Sequence, residues 1–264
     1  MLRFSSLASG SSGNATLVEA TDGLQRTRVL IDCGLGWRQL AQRLAAHQLA
    51  ADDIDAIFIT HEHGDHVGCA PLLQQRCGTA LRTSAGTWQA LHAAGAVSAL
   101  PDSATPIARD SEMLRIGALG ILPFTVPHDA REPLQLRCTD GDRTLGVLTD
   151  LGHVTPHALR QLAGCHALLL ESNHDPDLLA ASRYPPFLQR RVAGSHGHLS
   201  NAQAAQALAH LHHPRLNTVV AAHLSERNNR PDLVRTAFCA TLDCAPQDVL
   251  LATRHGLAAG WLVV

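Results

Sequence analysis

Apolar and polar positions alternate in short blocks along the first third of the chain, separated by small-residue turns. Stretches 2–7, 15–20 and 27–32 have strand-like apolar content. They are broken by the small-residue run at 8–14 and by a turn at Asp22-Gly23. Over 37–47 the pattern becomes helical, with Leu40 and Leu44 four apart. Positions 56–60 form an apolar, β-branched run, which predicts a strand buried on both faces. Beyond it the spacing predicts a helix near 71–75, a strand near 80–83 and a helix over 85–93.

The middle reads as strands at 112–116, 119–126, 134–139 and 144–149, with Asp140-Gly141 as a hairpin turn between the last two. A helix at 156–162, a strand at 167–170, helices at 187–193 and 201–211, and a strand at 218–221 follow. The helix at 231–242 carries Pro231 in its first turn, and 249–251 and 262–264 are strand-like. Two halves that each run strands and then helices predict two sheets packed face to face with helices outside. With no repeat or linker in 264 residues, the reading is a single domain over 1–264.

Composition narrows the chemistry. Apolar residues make up 45% and charged residues 17%, enough to bury a core and contrary to a disordered chain. All 21 cationic residues are arginine, so a Walker-A lysine and a Schiff-base lysine are both excluded. The net charge of −2 carries no lysine-rich nucleic-acid signature but leaves room for a local arginine patch. Seven cysteines without a CxxC pair argue against a disulfide framework and a four-cysteine zinc site, and for a reducing compartment. No signal-like start and no apolar run of about 20 residues is present, so the expectation is a cytoplasmic protein without a membrane partner.

Seventeen histidines stand out, and one group of them is ordered. His61-Glu62-His63-Gly64-Asp65-His66 follows the apolar run directly and places four ligand-type side chains within six residues. A loop leaving a buried strand holds such a cluster rigidly, as a multi-ligand metal site requires. A two-metal site needs further donors. His128, Asp150 and His223 each stand where a predicted strand stops. Singly each reads as a capping or packing residue; in this order together they complete a ligand set. Cys69 reads as a small buried residue and not a ligand. Asp32, also at a strand end, is open between a partner of a ligand histidine and a local turn residue.

These motifs resemble the metallo-β-lactamase superfamily. The closer resemblance is to its WalJ/YycJ-type branch of 5′→3′ DNA exonucleases. The matching stretches are SLASGSSGN (6–14), LIDCG (30–34), THEHGDH (60–66), PHDA (127–130), LTDLG (148–152), ESNHD (171–175), GHLSN (197–201) and AHLSERNN (222–229).

The resemblance implies an αββα four-layer sandwich of two mixed β-sheets with outer helices. It implies one metal on His61, His63 and His128, a second on Asp65, His66 and His223, and Asp150 between them. The ions would be Zn2+ or Mn2+, or Fe2+, since this donor set suits several divalent metals. A hydroxide bridging them would attack phosphorus in line. Asp65 and His198 are the implied catalytic side chains, with His198 contacting phosphate, protonating the leaving oxygen or supporting a ligand. Ser12, Asn14, Asn173, His174, Ser200 and Asn228 are the implied substrate contacts. Ser200 is alternatively a helix cap, and so are Asn173, His174 and Asn228.

DNA is the implied partner; a small phosphodiester, as in phosphoribosyl cyclic phosphate hydrolases, or a thioester, as in glyoxalase II, are the alternatives. Arg183, Arg190, Arg191, Arg227 and Arg230 either flank the cleft and track a phosphate backbone or form a solvated surface. With five Phe, three Trp and one Tyr, composition indicates no base-stacking platform. Oligomeric state is not read from the sequence.

Overall fold

The computed structural model describes residues 1–97 and 107–264. Its first sheet begins as an antiparallel meander of β1 (Leu2–Ala8), β2 (Ala15–Thr21) and β3 (Arg26–Ile31). Helix α1 (Trp37–Ala46) leads to β4 (Ala56–Phe58), parallel to β3. The single turn α2 (Gly64–Val67) and helix α3 (Ala70–Cys77) lead on to β5 (Ala80–Arg82), parallel to β4, and α4 (Ala85–Ala93) follows.

The second sheet starts with β6 (Leu114–Ile116), β7 (Leu119–Thr125), β8 (Leu134–Thr139) and β9 (Thr144–Leu148), each antiparallel to the next. Helix α5 (Pro156–Leu162) returns the chain to β10 (Ala167–Glu171). Helices α6 (Pro176–Ala180), α7 (Pro186–Val192) and α8 (Asn201–Leu211) precede β11 (Thr218–Ala222), and α9 (Pro231–Leu242) precedes β12 (Leu250–Thr253). Strands β9 to β12 run parallel. The short β13 (Gly256–Leu257) closes that edge, and β14 (Leu262–Val263) crosses back to pair with β1.

Strand alternation sorts the core into layers. Val29, Ile31, Ala56 and Phe58 meet Leu136, Leu169 and Val220 between the sheets. Their neighbours Leu30 and Ile57 turn the other way, onto Leu40 and Leu44 of α1 and Leu73 of α3. On the second sheet Leu168 and Leu170 pack outward against Leu162, Leu208 and Phe238 of α5, α8 and α9. Three apolar cores between four layers make the αββα sandwich, with two mixed sheets and outer helices.

Most predicted elements are present, and the differences have local causes. The run at 56–60 is a strand only to Phe58. The backbone N–H of Thr60 donates to the Asp32 carboxylate at 2.9 Å, which takes it out of the ladder. The terminal run at 249–251 starts one residue later, after a 3-10 turn at Pro246–Asp248. α2, α6 and β13 are too short for their periodicity to be read.

Candidate metal centre

Strands β3 and β4 of the first sheet, and β7, β9, β10 and β11 of the second, each end beside a side chain of one cluster. Ligands gather at this edge of α/β sheets because the strands deliver loops there. Three of these strand ends carry left-handed backbone at non-glycine residues: Asp32 (φ 59°), Asp150 (φ 56°) and His223 (φ 54°). Such a conformation is strained and persists when surrounding contacts fix it. Close packing also explains a glycine in LIDCG, because a Cβ on Gly34 would overlap the carbonyl of Asp65.

Three imidazoles converge first. His61 Nε2 lies 3.0 Å and His128 Nε2 3.3 Å from His63 Nδ1. Beside them His66 Nε2 is 3.2 Å from Asp150 Oδ2 and 3.7 Å from Asp65 Oδ2, and His223 Nε2 is 3.9 Å from the same Asp65 oxygen. The donors of His61, His63 and His128 lie within 4.8 Å of one another, as do those of Asp65, His66 and His223. His61, His66 and Asp150 form a third such group that joins the other two. All seven side chains named from the sequence are therefore brought together.

The outward nitrogens are held. His61 Nδ1 stands 3.0 Å from Thr60 Oγ1, His66 Nδ1 2.8 Å from Asp32 Oδ2, His128 Nδ1 3.1 Å from the Gly197 carbonyl, and His223 Nδ1 2.9 Å from Glu171 Oε1. Each contact keeps the proton on Nδ1 and turns a lone pair on Nε2 inward. Asp32 thus fills both roles left open by the sequence, as histidine partner and as left-handed turn residue.

The donor set fits divalent ions. Buried polar atoms nearly always have a partner, yet His223 Nε2 is buried without a hydrogen bond, and Asp150 Oδ2 has only the His66 ring at 3.2 Å. Burial, followed by the neighbouring His66, pushes His61 well below the ordinary histidine range. Burial likewise lowers His128, so both rings are neutral, as ligands must be. His66 goes the other way: burial opposes its charge, but Asp150 and Asp32 outweigh it and raise the ring well above the usual value. Asp150 is held well below the carboxylate range, because His223 and His66 outweigh its burial. A cation held by Asp65, His66 and His223 would meet the Asp150 carboxylate as the protonated His66 ring does here.

Glu171 is the site residue that sequence reasoning did not single out. It is fully buried and its Oε1 accepts from His198 Nδ1 and His223 Nδ1, both at 2.9 Å, while Oε2 accepts from Leu199 N–H at 2.9 Å. Burial opposes its charge, but His198 and His223 hold it down at about 2. Against its own burial, His198 is raised to about 9 by Glu171.

The metal-facing side chains open into a cleft of about 380 Å3. His63, Asp65, Asp150, His198 and His223 line it, together with Ser11, with Tyr184 just before α7, and with Leu188 and Arg191 of α7. Arg191 pairs with Asp129 at the rim. Arg183 and Arg190 are exposed on the same segment; Arg227 and Arg230 are exposed and do not line the cleft.

None of the six side chains expected as substrate contacts lines this cleft. Ser12 lines a neighbouring hollow, and its neighbour Ser11 lines the cleft. Asn14 is buried, accepts from Gly10 N–H at 2.8 Å and stands 3.3 Å from Asp65 Oδ2, tying the glycine-rich turn to the ligand loop. Asn173 donates to the His223 carbonyl at 2.9 Å, and Ser200 caps α8 by accepting from Gln203 N–H. His174 and Asn228 are buried, and neither lines the cleft. Cys69 is buried with its Sγ 3.5 Å from that of Cys33 and joins no ligand group.

Residues 27–223 match the family model of the beta-lactamase superfamily domain. The chain is 32% identical over 231 residues to the exodeoxyribonuclease WalJ of Streptococcus pneumoniae serotype 2, covering 88% of this chain and 84% of that one. It is 31% identical over 242 residues to the exodeoxyribonuclease YycJ of Bacillus anthracis, covering 92% and 89%. Among solved structures it resembles the metallo-beta-lactamase fold protein YhfI of Bacillus subtilis, with a TM-score of 0.70, 15% identity and coverage of 96% and 97%. It also resembles Zn(2+)-bound PqqB of Methylobacterium extorquens, with a TM-score of 0.67, 15% identity and coverage of 99% and 100%. At these identities the structural likeness is one of fold.

Proposed function

We propose, from the premise that this chain belongs to the beta-lactamase superfamily, that it is a metal-dependent phosphodiesterase acting as a 5′→3′ DNA exonuclease. One observation carries the reading. Seven nitrogen and oxygen donors converge, and four of them, His63, Asp65, Asp150 and His223, line a cleft, in a chain 31–32% identical over most of its length to proteins named exodeoxyribonucleases.

His61, His63 and His128 would hold one ion, Asp65, His66 and His223 a second, with Asp150 between them. Zn2+, Mn2+ and Fe2+ all suit these donors. When bound, two divalent ions supply Lewis acidity to the phosphoryl oxygens and lower the pKa of a shared water from about 15.7 to around 7. The protein's part is positioning. Asp65 faces the cleft and orients the attacking water, its carboxylate steadied by Asn14. Glu171 accepts from His198 Nδ1 and, by raising the ring to about 9, keeps a second proton on Nε2 that can be given to a phosphate or leaving oxygen. Arg191 of α7 and Tyr184 just before it offer a phosphate contact and a stacking face to the strand.

No helix among the described residues is long and apolar enough to cross a membrane. All seven cysteines are free thiols, which supports a cytoplasmic, reducing setting. We read 1–264 as one working domain.

The test is a substrate panel on metal-loaded protein: duplex DNA labelled at either end, bis(p-nitrophenyl) phosphate, and a thioester. Mononucleotide release from the 5′ end is expected, with slower turnover of the small diester. Turnover of the thioester alone would overturn the reading.

A further inference from the structure

Ser11 faces the metal cleft and Ser12 faces a second hollow of about 300 Å3, so a single turn forms a wall of both. Leu35, Gln39, Arg43, Arg254 and His255 complete the hollow. Arg43 comes from α1, and Arg254 and His255 from the turn between β12 and β13.

The polar groups here do not balance. Arg43 Nη2 is 3.2 Å from His255 Nδ1, and Arg254 Nε is 3.0 Å from His255 Nε2. A guanidinium only donates, and a neutral imidazole has one accepting nitrogen. His255 therefore satisfies one arginine and turns its own N–H toward the other. Gln39, which also lines the hollow, already accepts the Gly36 N–H on Oε1 at 3.2 Å, so its amide N–H groups are what it has left to offer. Among the described residues no Asp or Glu lines the hollow. Arg254 has a weak exposed contact with Glu226 at 3.6 Å, and Arg43 has no ion pair among the described residues. Donors outnumber acceptors around a space large enough for a phosphate group.

We propose that this hollow is an anion subsite that grips a backbone phosphate of the nucleic-acid strand next to the one being cleaved. The proposal rests on the nuclease reading and deepens it. The strand crosses the Ser11–Ser12 turn, with the scissile phosphate in the cleft and a neighbour held by Arg43 and Arg254. Planar guanidinium forks suit phosphate oxygens. Ser12, implied by the sequence as a substrate contact, acquires that role here and not at the metals.

The test measures binding of a fluorescent DNA duplex with a single-stranded 5′ extension to the full chain, across a sodium chloride series. Wild type is compared with the double variant R43Q/R254Q and with Ser12→Asp, which sets a carboxylate at the wall; thermal unfolding checks that each variant is folded. Each variant is expected to raise Kd about tenfold. The double variant is expected to lower the slope of log Kd against log salt by about 0.7 to 0.9, as for one lost phosphate contact. Unchanged affinity and slope in both variants, with wild type still binding and cleaving DNA, overturn the subsite and leave the nuclease reading intact.

A parallel titration with inorganic phosphate separates the ligand's source. Phosphate binding lost in the variants while DNA binding is unchanged assigns the hollow to free phosphate and overturns the strand contact. If wild type hydrolyses bis(p-nitrophenyl) phosphate but neither binds nor cleaves DNA, the nuclease reading itself fails and the proposal falls with it.

Discussion

His223 Nδ1 donates to Glu171 Oε1 at 2.9 Å, so a buried carboxylate on β10 decides which nitrogen of a β11 histidine faces the metals. The same oxygen accepts from His198 Nδ1, and the other oxygen accepts the Leu199 N–H. One side chain thereby sets the tautomer of a ligand and the orientation of a cleft-lining histidine. Glu171→Gln keeps the volume but can accept on one side only, and its amide then opposes either the histidines or the Leu199 N–H. Metal affinity is expected to fall about 10- to 100-fold, as for other lost supports of ligand histidines. Metal content after dialysis against graded chelator reads this; retention equal to wild type contradicts it.

Asp65 and His198 separate by what they hold. Asp65→Ala removes a donor from the Asp65, His66 and His223 group and is expected to lose both an ion and turnover. His198→Ala leaves all seven donors in place. It is expected to keep both ions and to lower kcat about 10^2- to 10^4-fold, the usual range for a proton donor. Paired metal analysis and steady-state rates decide this. Wild-type turnover by His198→Ala removes its catalytic role.

The ligand loop was legible because His61 to His66 are contiguous and follow an apolar run. His128, Asp150 and His223 were legible as polar residues just past predicted strands. Glu171 was not, because it ends the apolar strand ALLLE and looks locally like an ordinary strand terminus. Its role arises from parallel pairing that sets Glu171 opposite Ala222, about 50 residues away, beside His223. Ser11 lines the cleft and Ser12 the neighbouring hollow, a split between adjacent residues of one turn that spacing alone does not carry. Tyr184 was hidden for another reason: a count of aromatics carries no position, and the chain's one tyrosine lines the cleft.

A pH effect on stability is expected at Asp110, which is not among the seven donors. Partial burial works against the charge of Asp110, but the Thr125 N–H, His157 and Ser111 outweigh it and hold the carboxyl below its ordinary value of 3.8. Thr125 N–H and His157 Nε2 each lie 2.8 Å from Asp110 Oδ1. A carboxyl depressed in the folded state contributes stability above its unfolded pKa and loses it as pH falls through the folded value. Asp110→Asn is therefore expected to melt lower at neutral pH. Across about pH 6 to pH 3 its melting point should change less than that of wild type. Parallel curves for the two proteins over that window contradict the argument.

Metal removal is expected to destabilise the whole fold, because the donors come from both sheets. His61 and His66 follow β4 of one sheet, and Asp150 and His223 follow β9 and β11 of the other, so ions held as proposed would tie the sheets at one edge. Without them, His223 Nε2 remains buried without a hydrogen bond. An ion that binds only the folded chain stabilises it by about 2.7 kcal/mol at 100 times its Kd. For a chain of this size each kcal/mol moves Tm by roughly 2–4 °C. Each site filled to that level should therefore raise Tm by about 5–10 °C over chelator-treated protein. Asp150→Asn keeps the shape but loses the charge between the two triads, and should reduce the rise. Thermal melts of both proteins with chelator, Zn2+ and Mn2+ check this, and a wild-type Tm indifferent to every metal would show that these side chains do not hold ions.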